Sequence, residues 1–269
     1  YLNSIESLLV SRAFFGLCVA TLLIVSTSLV GDYFKEHDRH KFMGYQSAFM
    51  AIGGVFFVIG GGFLSDINWR FPFGIYFVGI VLIPFAFLYL KEVKIETSQD
   101  DLSVNIGKNM IIVYILAFIY MLLFFILPTQ IPFLLIEKFD ASGKMAGTVI
   151  ATAFFCNALG AIAFSRLKKR LNFVAIYLIG ITLIALGFSL VGIINHIYFF
   201  FITSPILGFA GGLMMTNVTA WMLSKTSHQK RVKSSGYFTS AIFLGQFLSP
   251  IVFHPFLDFL EIQDFFLFI

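Results

Sequence analysis

Long apolar runs separated by short polar stretches dominate the chain. They cover 8–31, 44–64, 71–90, 110–136, 146–165, 172–194, 197–223 and 235–257, and a ninth starts near 265. A bilayer core requires about 20 consecutive apolar residues per helix. The runs are continuous rather than alternating over about 10 residues, as barrel strands would be. Each therefore predicts a membrane helix. All seven prolines lie inside these runs or at their ends. Membrane helices accept them where neighbouring groups or a cavity satisfy the freed carbonyls. The pattern predicts an all-α, polytopic membrane bundle with eight complete spans and a ninth partial one.

Composition removes the soluble alternatives. Of the 269 residues, 59% are hydrophobic and 12% charged, and the mean hydropathy is +0.92. A soluble domain carries about 25% charged residues. So few charges cannot cover a water-facing surface, which excludes a soluble enzyme, a nucleic-acid binder and a disordered chain. The net charge of +4 would suggest an acidic partner if the cations were evenly spread. Instead, fourteen of the 18 Lys and Arg fall in alternate loops at 35–41, 91–108, 166–170 and 225–233. The intervening loops hold Arg70, Lys138 and Lys144, and Arg12 lies within a run. The positive-inside rule places the rich loops in the cytoplasm and the N-terminal end outside. The basic excess is thus a topology signal, and no nucleic-acid partner is needed to explain it. Cys18 and Cys156 sit in apolar runs and read as small buried hydrophobes. His37-Asp38-x-His40 reads as solvated loop residues rather than metal ligands. Enzyme and phosphate-loop signatures are absent from the sequence, and no cofactor is expected.

Shifting the chain by 192 positions brings out a repeat. Arg39-x-Lys41-x-x-Gly44-Tyr45 falls on Arg231-x-Lys233-x-x-Gly236-Tyr237, Gly16 on Gly208, and Gly53 on Gly245. Seven of 48 positions are identical between 11–58 and 203–250, without gaps. The match gains weight because spans fall on spans and a basic loop on a basic loop. The shift implies two pseudo-symmetric six-helix halves. Residues 1–90 hold the last three helices of the first half, 91–109 form a cytoplasmic linker, and 110–269 hold the second half with its last helix incomplete. Three spans are expected upstream of residue 1. Duplicated parallel halves are a transporter architecture.

A few polar residues interrupt the spans. Arg12 either marks a pathway or snorkels to the headgroups from near a span end. Asp32 closes the same run, where a carboxylate opposes the helix dipole by roughly 0.3–1 kcal/mol and needs a cationic partner. Thr129 and Gln130 lie between Pro128 and Pro132. These prolines free carbonyls and are expected to break the helix near Gln130, turning its amide toward a cavity. The alternative is a helix end with interfacial polar residues. Asn157, Asn217 and Gln246 read as interhelical hydrogen-bonding groups or as cavity lining. Gly60, Gly61 and Gly62, and Gly208-x-x-x-Gly212, permit close helix approach. The 36 phenylalanines are spread over all spans and read as lipid-facing rather than as an aromatic pocket.

Several of these segments resemble family motifs: Arg12-x-x-x-Gly16 with Ala20, Asp32 with Arg39-to-Gly44, the glycines Gly53, Gly61 and Gly62, and Arg166-Leu167-Lys168-Lys169-Arg170. On them the chain resembles the major facilitator superfamily, in its drug:proton antiporter-like bacterial branch, over spans four to twelve of twelve. The resemblance implies a proton-coupled secondary transporter of the bacterial plasma membrane. It would be monomeric and would export small, partly apolar substrates by alternating access. Proton coupling or gating is then expected of Arg12, Asp32, Arg39, Gly53, Gly61 and Gly62. Substrate contact is expected of Thr129, Gln130, Asn157, Asn217 and Gln246, with 110–136 as a gating helix. By resemblance the partner of Asp32 lies in the loop between spans two and three, before residue 1. Lys169 stands where the loop motif has an acid. Phe57 and Val58 stand where the antiporter motif has Gly-Pro, which keeps an importer or facilitator as the alternative. A membrane sensor without transport is a third reading, and it has no need of two equivalent halves.

Overall fold

The computed structural model describes residues 5–34, 36–68, 70–89, 108–226, 230–259 and 262–268. Among them every regular element is a helix: α1 (Ile5–Tyr33), α2 (Glu36–Ile67), α3 (Val78–Tyr89), α4 (Lys108–Phe124), α5 (Ile126–Phe139), α6 (Gly143–Leu167), α7 (Phe173–Ile193), α8 (Phe200–Ser224), α9 (Arg231–Phe259) and α10 (Ile262–Phe268). Short 3-10 helices precede α3 at Phe71–Phe77 and α8 at Ile197–Phe199. Seven segments are long and apolar enough to cross a membrane, with α4 and α5 together forming one of them, Met110–Phe139. The chain is an all-α, multi-pass membrane protein. The expected linker 91–109 lies outside the described residues except for its last two, which open α4.

Three runs differ in detail from the sequence pattern. The run 71–90, expected as one complete span, divides into the 3-10 helix and α3, and its apolar helix Phe73–Tyr89 is shorter than the seven spans. Pro72 stands in the first turn of that 3-10 helix, where its missing N–H breaks no bond. The run 110–136 breaks at Phe125 rather than near Gln130. The cause is Pro128, whose ring and missing N–H act on the carbonyl four residues earlier, which is the last residue of α4. Pro132 is absorbed inside α5. The ninth run folds as α10, which docks Phe265 and Phe266 against Phe253 and Phe188.

Local capping fits the loop chemistry. Ser142 accepts a bond from the Met145 N–H at the start of α6, and Asn172 accepts one from the Ala175 N–H at the start of α7. Such caps satisfy helix N–H groups that have no partner within the helix.

Packing centres on α8, which contacts α4, α6 and α7. Small residues set the α6–α8 distance. A Cβ at Gly208 would collide with the Ala153 carbonyl, one at Gly212 with the Asn157 carbonyl, and one at Gly160 with the Phe209 carbonyl. Glycines on both helices thus let the two backbones touch. Gly245 allows the same between α9 and α4, where a Cβ would lie 2.5 Å from the Phe118 carbonyl oxygen.

Moved back by 192 positions, α8 and α9 fall on 8–32 and 39–67, within three residues of the bounds of α1 and α2 at every end. Exchanging α1 with α8 and α2 with α9 also exchanges two observed contacts, α1 on α9 and α2 on α8. Superposing 11–58 on 203–250 is expected to pair residues at a constant shift of 192. A best fit at any other shift would end the repeat argument.

Candidate functional site

The polar residues gather where the C-terminal end of α1 meets the N-terminal end of α9. Both ends adjoin loops that the positive-inside rule assigns to the cytoplasm. Arg231, the first residue of α9, donates from Nη1 to Asp32 Oδ1 at 2.6 Å. The two side chains are only 9% and 6% exposed. The arginine stem reaches the acid by crossing Gly31, where a Cβ would lie 2.9 Å from its Cδ. One turn further into the membrane, Ser28 Oγ donates to Ser235 Oγ at 3.2 Å. Arg39 closes the end of α1, donating from Nη2 to the Gly31 and Phe34 carbonyls. It thereby serves acceptors that the helix itself leaves open. Gln46 Nε2 donates to Ser26 Oγ and ties α2 to the same cluster.

The electrostatics of this contact are unusual in direction. Asp32 lies at the C-terminal, negative end of its own helix, and Arg231 at the N-terminal, positive end of its own. Each charge opposes its own dipole by roughly 0.3–1 kcal/mol. Each is relieved by the other charge and by the other helix. The contact therefore depends on α1 and α9 staying together, and both ends are left poorly compensated when they part. Among the described residues Asp32 pairs with Arg231, while the partner expected before residue 1 lies outside them.

A second contact lies beside it. α2 packs on α6 through Ala48, Ala51, Ala158 and Ala161, which form a buried cluster of alanines alone. Gly44 brings the backbones closest, since a Cβ there would lie 2.8 Å from the Ala161 carbonyl oxygen. Further along, Phe154 of α6 lies against Gly54 of α2, 3.6 Å from an added Cβ, so the contact is made largely by small residues.

The other predicted residues are dispersed. Arg12 is separated from Asp32 by 20 residues of α1, roughly 30 Å at 1.5 Å per residue. It is exposed, donates to Tyr76 Oη at 3.1 Å, and lies 5.1 Å from the Phe73 ring centroid. Its surroundings are aromatic, and no ion pair forms at it among the described residues. Gly53 and Gly61 lie in α2 with only ordinary contacts at 3.9 Å for an added Cβ, and Gly62 belongs to the same helix. Thr129 donates from Oγ1 to the Phe125 carbonyl at 2.8 Å, a bond within its own helical turn. Gln130 is 6% exposed on α5, beside buried Leu127, Ile131 and Leu134. Asn217 is fully buried on α8 and donates to the Phe173 carbonyl of α7. Asn157 and Gln246 are half-buried on α6 and α9.

Sequence reasoning identified Asp32 and Arg39 but missed Ser28, Gly31 and Ser235, and used Arg231 only as a repeat marker. A signal was available. Loop parity puts Asp32 and Arg231 at the same membrane face, an acid ending one span and a cation opening another.

The sequence model of the Major Facilitator Superfamily matches residues 1–250. No curated protein matches the chain.

Proposed function

The chain belongs to the Major Facilitator Superfamily, a family of membrane transporters, and on that premise we propose that it is a proton-coupled secondary transporter exporting small, partly apolar molecules by alternating access. The observation that carries this reading is the Asp32–Arg231 contact, a buried ion pair between α1 and α9. These helices come from opposite repeats. A transporter needs one end of the bundle to close and reopen, so the closing contact must be specific yet separable. An ion pair that is stable only while the helices touch meets that need. The small-residue contact of α2 on α6 supports rocking of one half on the other, while the tighter glycine-locked α6–α8 seam supports rigidity within a half. Proton coupling rests on the Arg12 motif alone. Its proposed setting is the bacterial plasma membrane, and its proposed state is a monomer. The test is flux of labelled candidate substrates in proteoliposomes under an imposed proton gradient. Uptake that reverses with the gradient supports antiport, and flux indifferent to it removes proton coupling.

A second reading, an importer or facilitator, is favoured by two observations. Phe57 and Val58 replace Gly-Pro in α2, and Arg12 faces Phe73 and Tyr76 rather than a carboxylate. Arg12→Gln separates the readings: it abolishes gradient-driven flux in an antiporter and leaves facilitated exchange intact in a facilitator.

Gln130 remains the proposed substrate contact on the gating helix, because it is a polar residue only 6% exposed among the apolar residues of α5. Gln130→Ala is expected to weaken substrate binding by about 0.5–1.5 kcal/mol, a few-fold to tenfold. Binding and melting should be measured separately. A lowered melting point with unchanged affinity would assign Gln130 to packing.

A further inference from the structure

Beside the alanine contact, at the end assigned to the cytoplasm, a recess of about 510 Å³ opens between α2 and the end of α6. Lys41, Arg166, Lys168 and Lys169 line it, with Asp38 as the one carboxylate among its described lining residues. Its floor is built rather than incidental. Lys168 donates to the Leu171 carbonyl and stands 4.2 Å from the Phe173 ring centroid. Phe173 is itself stacked on Trp221, with ring centroids 5.6 Å apart and 6° between planes. Lys41, Arg166 and Lys169 are exposed, and no ion pair forms at them among the described residues. The recess therefore sets four cations against the one carboxylate of Asp38 among its described lining residues.

The recess also continues into the apolar flanks of the two helices. Tyr45 lines it from α2 and Ile162 from α6. From Tyr45, the same face of α2 runs through Phe49, Ile52 and Phe56, all exposed. From Ile162, the same face of α6 runs through Leu159 and Phe155, also exposed. Residues spaced three or four apart share one helix face. A soluble anion would use the cations and leave these stripes unused. A molecule with an anionic head and apolar chains uses both.

We propose that this recess binds the phosphate-bearing headgroup of an anionic phospholipid from the cytoplasmic leaflet, with its chains along the stripes of α2 and α6, and that the bound lipid holds the two helices together. Basic recesses between membrane helices on the cytoplasmic side suit such headgroups, and anionic lipids are enriched there. α2 and α6 come from opposite repeats, so a lipid bridging them opposes their separation. The binding claim stands without the proposed transport function, whereas the effect on opening rests on it.

The test uses the purified protein in nanodiscs and native mass spectrometry. Titration with phosphatidylglycerol is expected to show one tight site, about tenfold tighter than for phosphatidylcholine. Arg166→Gln with Lys169→Gln is expected to reduce phosphatidylglycerol to the phosphatidylcholine level. Lys225→Gln with Lys233→Gln, which removes equal charge from the same face outside the recess, is expected to leave the site intact. Equal loss in both pairs means only a diffuse surface attraction and overturns the site. Glycerophosphoglycerol, the headgroup without chains, distinguishes the sources: binding as tight as the lipid overturns the lipid assignment in favour of a soluble anion. The bridging claim is read from cross-linking of Ser28→Cys with Ser235→Cys, which is expected to be faster in phosphatidylglycerol than in phosphatidylcholine. A rate independent of lipid, with binding intact, overturns the bridging claim alone.

Discussion

Asp32→Asn is expected to open the contact between α1 and α9. Removing one partner of a buried ion pair strands the other charge and costs about 3–5 kcal/mol. Here Arg231 would be left at only 9% side-chain exposure, at the positive end of its own helix. Ser28 and Ser235 report the contact directly, because their hydroxyls lie 3.2 Å apart. With Cys18 and Cys156 replaced by Ala, the pair Ser28→Cys and Ser235→Cys is expected to cross-link readily under mild oxidation. Asp32→Asn in that background should slow cross-linking at least about tenfold, since most of the stated cost falls on the closed arrangement alone. The exchanged pair, Asp32→Arg with Arg231→Asp, keeps the ion pair but should close less tightly than the native protein. Each charge then agrees with its own helix dipole, by roughly 0.3–1 kcal/mol apiece, whether the helices touch or part. In contact each charge meets the like-signed end of the other helix, so cross-linking should fall between the native protein and Asp32→Asn. Unchanged cross-linking in Asp32→Asn would remove this ion pair from any gating role.

Gly212→Leu is expected to be strongly damaging to the seam of α6 and α8. A Cβ at Gly212 collides with the Asn157 carbonyl and lies 3.0 Å from the Ala161 nitrogen. Backbone cannot rotate away as a side-chain tip can, so α6 and α8 must move apart. Overpacking typically costs about 1–3 kcal/mol, and loss of the rest of the seam adds to it. Each kcal/mol lowers the melting temperature of a chain of this size by about 2–4 °C. A fall of about 5 °C or more in detergent follows. Gly147→Leu in the same α6 is the control, since nothing lies within 4 Å of an added Cβ there. Equal melting of the two variants would refute the seam. A fall for Gly212→Leu alone would show that the small-residue spacing is structural.

Part of the candidate site was legible in the sequence, and the reason differs from residue to residue. Asp32 was legible because a carboxylate at the end of an apolar run conflicts with both bilayer and dipole. Arg39 was legible through the repeat. In the structure the two equivalent arginines do different work: Arg39 caps α1, while Arg231 crosses to Asp32. Repetition in sequence cannot carry that asymmetry, because it arises from which helix lies opposite. The break in 110–136 was legible as a consequence of proline, but its position at Phe125 follows from the carbonyl four residues before Pro128. Asn217 was read as cavity lining or hydrogen-bonding glue, and its bond to the Phe173 carbonyl depends on the α7–α8 pairing.

The sequence by itself determined that this chain is a bundle of membrane helices, where most of them begin and end, and which loops share a face. The bilayer explains this. Backbone groups in hydrocarbon must be satisfied within the segment, so a long apolar run has little choice but to be a helix. Tertiary structure alone decided which helix meets which. Phe87 is 85% exposed and Phe188 1% exposed, yet both are phenylalanines in apolar helices. Lipid chains are as apolar as a protein core, so the hydrophobic pattern does not distinguish the two environments. The information that pairs helices lies instead in single glycines, a few hydroxyls and the Asp32–Arg231 ion pair. Their partners stand far away in sequence, Asp32 from Arg231 by 199 positions, and only the assembled bundle brings them together.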